Sequence, residues 1–295
     1  MASSHQVILH IGAHKTATTH LQQALQGARA DLRKEGVRVF GPSQLRGKGK
    51  TLAERFSLPH VSRPENAGDD AEAMLAEMLS GADRLVLTEE NFVGVLNRNG
   101  SKLNVPLYPN AVERIAALGS VVAPDGIDLF LGIRGPAPFL NSVYSQVLLS
   151  GHAIKPAEFR SKNTLSDINW ARYVERLSQI TKIRSFIVWP FEDYAALSSR
   201  IVALMVGEKA APLVRWIPDI VHSGLSTRAV EEILAGPRGA EAVEAARNAK
   251  SRFPISEEFP KFDVFTGKDH AISGVQYADQ LKEIGQMANV TLLRA

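Results

Sequence analysis

The chain has 295 residues, 45% of them hydrophobic, enough to bury one substantial core with a smaller lobe appended. Its 34 basic and 31 acidic residues leave a net charge of +3, which is no polyelectrolyte signature for tracking DNA or RNA. Cysteine is absent, so disulfides, thiolate metal sites and a cysteine nucleophile are excluded.

In chain order, the first apolar run is Gln6 to Ile11, a strand candidate that ends at Gly12. It is too short for a signal-peptide core and is followed by His14 and Lys15; nowhere does the chain approach the roughly 18 to 20 apolar residues of a membrane span. The protein is expected to be soluble and cytoplasmic, with no transmembrane segment and no nucleic-acid partner. Leu21, Ala24, Leu25, Ala28 and Leu32 recur at helical spacing after the loop. Val37 to Phe40 is a second short strand, and the stretch from Gly41 to Gly68, rich in Gly, Pro, Ser and basic residues, reads as a mobile surface loop. Ala71 to Leu79 is helical, Arg84 to Thr88 a third strand, and Ile127 to Ile133 a fourth. Pro136 then opens a helix reaching about Ser150. A fifth strand, Ser185 to Trp189, is halted by Pro190, and past Tyr194 the chain reads as helical, with breaks at Pro212, Pro218, Gly236-Pro237 and Pro254. Short β-rich runs alternating with helical segments predict an α/β fold with a central parallel β-sheet flanked by helices. A single domain over residues 1–295 is expected, with an α/β core at 5–205 and a mostly helical extension at 206–295.

The most informative segment is Gly12-Ala13-His14-Lys15-Thr16-Ala17-Thr18-Thr19, between a strand and a helix, where backbone N–H groups and the helix dipole favour anions. Lys15 supplies a positive charge there, and Thr16, Thr18 and Thr19 supply hydroxyl donors. The spacing differs from the ordinary nucleotide triphosphatase loop, because the lysine comes three residues after Gly12. At the end of the fourth strand stands Arg134, with Ser142 about two helical turns further on; a guanidinium and a hydroxyl from one corner can hold a second phosphate.

Residues 9–22, with His10-x-Gly12-x-His14-Lys15-Thr16-Ala17-Thr18-Thr19 followed by Leu21-Gln22, resemble the 5′-phosphosulfate loop of the sulfotransferases that use 3′-phosphoadenylyl sulfate (PAPS), in its bacterial form. Arg134-Gly135-Pro136 with Ser142 is similar to the 3′-phosphate motif of that family, and Pro190-Phe191-Glu192-Asp193-Tyr194 is a weaker echo of a Glu-Asp segment found after its fifth strand. The resemblance spans roughly residues 5 to 205 and implies a P-loop NTPase-like sulfotransferase fold. The implied activity is transfer of the sulfuryl group of PAPS to a hydroxyl or amine, leaving adenosine 3′,5′-bisphosphate (PAP). His14 to Thr19 would hold the 5′-phosphosulfate, Lys15 would neutralise the leaving phosphate, and Arg134 with Ser142 would hold the 3′-phosphate. The implied chemistry calls for no metal.

Ala17 stands where the family usually has glycine, and the family's C-terminal Arg-Lys-Gly segment has no clear counterpart, Lys268 after Gly267 being a possible substitute. A base for the acceptor is sought at Glu89 and Glu90. Thr88-Glu89-Glu90-Asn91 is similar to a segment of bacterial relatives that favours Glu90, with Glu89 in reserve and His60 as a third choice. Either glutamate could equally be a helix cap. His10 reads as a structural histidine, and Trp170, Trp189 and Trp216 as packing residues rather than acceptor walls. The acceptor, whether a small molecule, a saccharide or a lipid, is not legible, and neither is the oligomeric state. Two other readings stay open: a nucleotide-dependent kinase, which would need Mg²⁺, and a non-catalytic PAPS- or PAP-binding protein.

Overall fold

A computed structural model describes residues 5–58, 71–97, 100–123, 125–216 and 224–295. Six strands, β1 (Gln6–His10), β2 (Val37–Phe40), β3 (Arg84–Thr88), β4 (Ile127–Ile133), β5 (Ile183–Pro190) and β6 (Val290–Leu292), form one sheet in the order β2-β3-β1-β4-β5-β6. Every pairing is parallel, with His10 opposite both Thr88 and Phe130. The result is an α/β fold with a central parallel sheet, consistent with a P-loop-like arrangement. The central strands are continuous apolar runs because helices cover both faces.

On one face lie α1 (Thr18–Gly27), α2 (Arg29–Lys34) and, later in the chain, the helix Tyr194–Val206, packed on Ile8, Val39, Val86, Phe130 and Ile187. The alternate strand residues Val7, Leu9, Leu85, Leu87, Leu129 and Leu131 face a larger core. To it belong α3 (Pro42–Leu45), α4 (Leu52–Arg55), α5 (Ala71–Leu79), α6 (Ala111–Val122), α7 (Pro136–Leu149), α8 (Pro156–Lys162) and α9 (Trp170–Ser178). With Tyr194–Val206 numbered α10, the remaining helices are α11 (Thr227–Ala235), α12 (Ala242–Arg252) and α13 (Gly267–Gly285). They pack on the same larger core through Val230, Ala246, Tyr277 and Leu281.

The stretch after Gly41 differs from its expected loop. Residues 42–58 fold into α3 and α4 and bury Leu45, Leu52, Ala53, Phe56 and Leu58; five apolar side chains spaced by Gly and basic residues sufficed for two single-turn helices. His60 and Pro218 lie outside the described residues. β6, unanticipated in the sequence, is three residues long and extends the β5 edge. Among the described residues no helix is long and apolar enough to cross a membrane.

After β1 the chain turns toward β2, and after β4 it turns toward β5. β1 and β4 are neighbours, so the loops that leave them diverge and open a crevice at the C-terminal edge of the sheet.

Candidate functional site

The loop from β1 into α1 is shaped by its backbone. Gly12 has φ 97, and a Cβ there would stand 2.9 Å from Glu90 Cβ, so only glycine lets the loop pass the end of β3. Ala13 N donates to Gly132 O at 2.8 Å and Gly132 N donates to Gly12 O at 2.6 Å, stitching the loop to β4. Lys15 and Ala17 both take left-handed φ, 66 and 63, on either side of Thr16. Such alternation curls successive N–H groups toward one concavity, and the unpaired N–H groups of the first turn of α1 adjoin it. Ala17 thus occupies a left-handed conformation that favours glycine, at a cost of about 1 kcal/mol.

The threonine hydroxyls behave differently from expectation. Thr16 Oγ1 and Thr18 Oγ1 are buried and both donate to Ala13 O, at 2.7 and 2.8 Å, so they hold the loop's shape. The groups this leaves free of loop-internal hydroxyl bonds are the Thr19 hydroxyl and the Lys15 ammonium, beside the backbone N–H groups. Burial, reinforced by Arg134, brings the Lys15 ammonium down to about 8; Glu90 opposes the shift and Lys250 adds to it. A lysine held in this way is poised for a negative partner.

The second corner is the turn from β4 into α7. Arg134 Nη1 donates to Lys15 O at 3.0 Å, so the guanidinium lies directly against the first loop. Arg134 Cζ lies over the Phe191 ring, 4.3 Å from its centroid, and Trp170 Nε1 donates to Arg134 O at 2.6 Å. Arg134 Nε is buried without a hydrogen-bond partner, and burial lowers the guanidinium's basicity. Glu192 secures the start of α7: its Oε1 accepts from Gly135 N at 3.0 Å and its Oε2 from Tyr277 Oη at 3.2 Å. Ser273 Oγ accepts from Ala137 N at 2.9 Å. Ser142 is half-buried in α7, beside Asn141, whose amide is committed to Phe262 O and Val264 N.

The third corner, after β3, carries the two glutamates, and Arg46 organises it. Its guanidinium grips Glu89 through Nε and Nη2, at 2.8 to 3.1 Å, and Nη2 also reaches Glu90 Oε1 at 2.7 Å. Glu89 is 3% exposed and caps the 3₁₀ turn Glu90–Val93 by accepting from Asn91 N, the helix-cap role weighed above. Burial raises its carboxyl despite Arg46. Glu90 Oε2 accepts from Gln22 Nε2 at 2.8 Å. Burial opposes charge on Glu90 too, but its own N–H, Arg46, Gln22 and His14 together hold its carboxyl below the usual range. Between this corner and the Lys15 loop, His14 is fixed by Asn91 Oδ1 at 3.0 Å and the Tyr108 hydroxyl at 2.9 Å.

Lys15, Glu90, His14 and Arg134 therefore gather at the C-terminal ends of the adjacent strands β3, β1 and β4. His10 pairs with Thr88 Oγ1 and stacks on Trp189, and burial holds it neutral with a pKa of about 4, a structural histidine. Trp170 and Trp189 are core, and Trp216 stacks on His20. Lys268 is exposed in the first turn of α13. Arg46, Tyr108 and Tyr277 escaped sequence reading, whereas Glu192 stood in the segment singled out after the fifth strand; for Arg46 the only signal was the basic run to Lys50, which reads equally as a solvated loop. No protein-family model matches this chain, and no curated protein does, so the functional reading rests on its own residues.

Proposed function

We propose that this chain transfers the sulfuryl group of PAPS to the hydroxyl or amine of an acceptor. The observation that carries the reading is the 3.0 Å contact between Arg134 Nη1 and Lys15 O, which joins two cationic strand-to-helix corners in one crevice. A single doubly phosphorylated nucleotide, anionic at both ends, suits such a pair better than one phosphate does. The orphaned Arg134 Nε supports it further, because a buried donor without a partner is costly until a ligand oxygen accepts from it.

In the step itself the acceptor oxygen or nitrogen bonds to sulfur as the bond from sulfur to the bridging oxygen breaks. The electron pair stays on the 5′-phosphate of PAP, and the acceptor's proton passes to a base. Lys15 stabilises the charge that builds on the leaving phosphate. Glu90, ionised at neutral pH, retains lone pairs beyond those given to Arg46 and Gln22 and lies on the far side of the Lys15 loop from Arg134, in the position for the base.

Calorimetric titration with PAP beside ATP–Mg²⁺ tests the reading. Tight, metal-independent binding of PAP is expected; preference for ATP–Mg²⁺ would instead favour a kinase.

A further inference from the structure

A cleft of about 160 Å³ lies between the turn that follows β3 and the segment that leads into α6. Asn91, Val93 and Val95 line it from one side, and Asn104, Pro109 and Asn110 from the other. The two sides are fixed to each other. Arg114 Nη1 donates to Phe92 O at 2.8 Å, Asn104 N donates to Leu96 O at 2.8 Å, and Asn104 Nδ2 donates to Val95 O at 3.0 Å. Tyr108, buried just before Pro109, accepts through its hydroxyl from His14 N at 3.2 Å, which ties the second side to the Lys15 loop. The cleft is therefore preformed. It adjoins the Glu90 corner through Asn91, which follows Glu90 in the chain and meets His14 Nε2 through Oδ1.

The lining carries neutral hydrogen-bonding capacity that the fold leaves unspent. Among the described residues, Asn91 Nδ2 and Asn104 Oδ1 have no partner, and the Asn110 amide has none at either end. Donors and acceptors are thus mixed around one small space, beside an apolar strip from Val95 and Pro109. No lining residue among those described is acidic, so an ammonium group would find no counter-ion there. A hydroxyl both donates and accepts, so neighbouring hydroxyls on a ring match the paired N–H and C=O of an amide. The volume suits a single ring, being well short of the roughly 300 to 1,000 Å³ of sites that enclose a drug-sized ligand.

We propose that this cleft is the acceptor subsite and that the acceptor is a polyhydroxylated ring, the chemistry of a sugar residue, held by the amides of Asn91, Asn104 and Asn110. The assignment rests on the donor reading above and narrows its acceptor from a hydroxyl or amine to a sugar-type hydroxyl. One ring hydroxyl extends past Asn91 to the Glu90 corner. Its oxygen bonds to sulfur, its proton passes to Glu90, and the bridging sulfur–oxygen bond breaks to leave PAP.

The test is saturation-transfer NMR on the PAP-loaded protein, with the methyl glycosides of glucose, galactose and mannose as probes and benzylamine and phenol as rivals. Transfer to at least one glycoside is expected. Asn110→Ala removes a side chain that bonds nothing in the fold, and Val95→Trp fills the cleft from its exposed rim. Each should weaken that glycoside about tenfold or more, while the melting temperature and the calorimetric affinity for PAP stay unchanged. Absence of transfer to every glycoside, or transfer that both variants leave intact, overturns the assignment. Uptake of benzylamine or phenol in place of the glycosides, lost in the same two variants, overturns it as well. Failure of the unaltered protein to bind PAP overturns the donor reading instead, and the acceptor role falls with it.

Discussion

The two edges of the sheet treat charge in opposite ways. At the N-terminal edge, Asp128 in β4 is gripped by Arg184 through Nε at 2.9 Å and Nη2 at 2.5 Å, by Ser185 Oγ at 2.7 Å and by the Gln6 amide. Burial opposes its charge, but those partners win and hold the carboxyl below its usual range. Every group there has its complement within the chain. At the C-terminal edge no salt bridge is formed by Lys15 or Arg134 among the described residues, Arg134 Nε has no hydrogen-bond partner, and burial lowers the basicity of both. On the proposed reading, the difference separates a network that stabilises the fold from one that a ligand completes. A satisfied cluster ought to respond to mutation in stability, an unsatisfied one in binding.

The largest effect that would break this contrast is at Lys15. Lys15→Ala should lower sulfuryl transfer on the order of 10³-fold while the melting temperature holds or rises, because a desolvated ammonium is removed; a destabilised but active variant would place Lys15 with the structural charges. Arg134→Ala should weaken PAP binding by roughly 2 to 4 kcal/mol, read by calorimetry. From the other edge, Asp128→Ala should cost about 2 kcal/mol of stability in denaturant titration and leave PAP affinity alone.

The pH dependence is smaller and its sign follows from Lys15. Above about pH 8 the free site loses its proton, whereas a bound anion restores it. PAP binding should therefore take up protons near pH 9 and weaken by up to about tenfold per pH unit, a linkage measured in buffers of different ionisation heat. The smallest effect is at the loop itself. Ala17→Gly relieves a left-handed alanine and should stabilise the fold by about 1 kcal/mol, read from thermal melts.

Much of the frame was legible because parallel strands covered on both faces are short, unbroken apolar runs, as at Arg84–Thr88 and Ile127–Ile133. The Lys15 loop and Arg134 were readable because each stands at a strand end next to a helix start, a local pattern. What eluded reading is long-range. Arg46 meets the glutamates across 43 residues and Tyr277 meets Glu192 across 85, pairings that no window of sequence displays. β6 escaped for a different reason: three residues, Val290, Thr291 and Leu292, are too few for a period to register.

One consequence of the C-terminal packing concerns the order in which the molecule can become functional. Tyr277 and Ser273 of α13 steady the Arg134 turn, β6 seats beside β5, and Arg294 Nε bonds Asp193 Oδ2 at 2.8 Å. A nascent chain whose residues 267–295 are still inside the ribosome has its Lys15 loop and every strand up to β5, yet lacks these braces at the opposite corner. On the proposed reading, nucleotide capture during synthesis would wait until that final stretch has emerged.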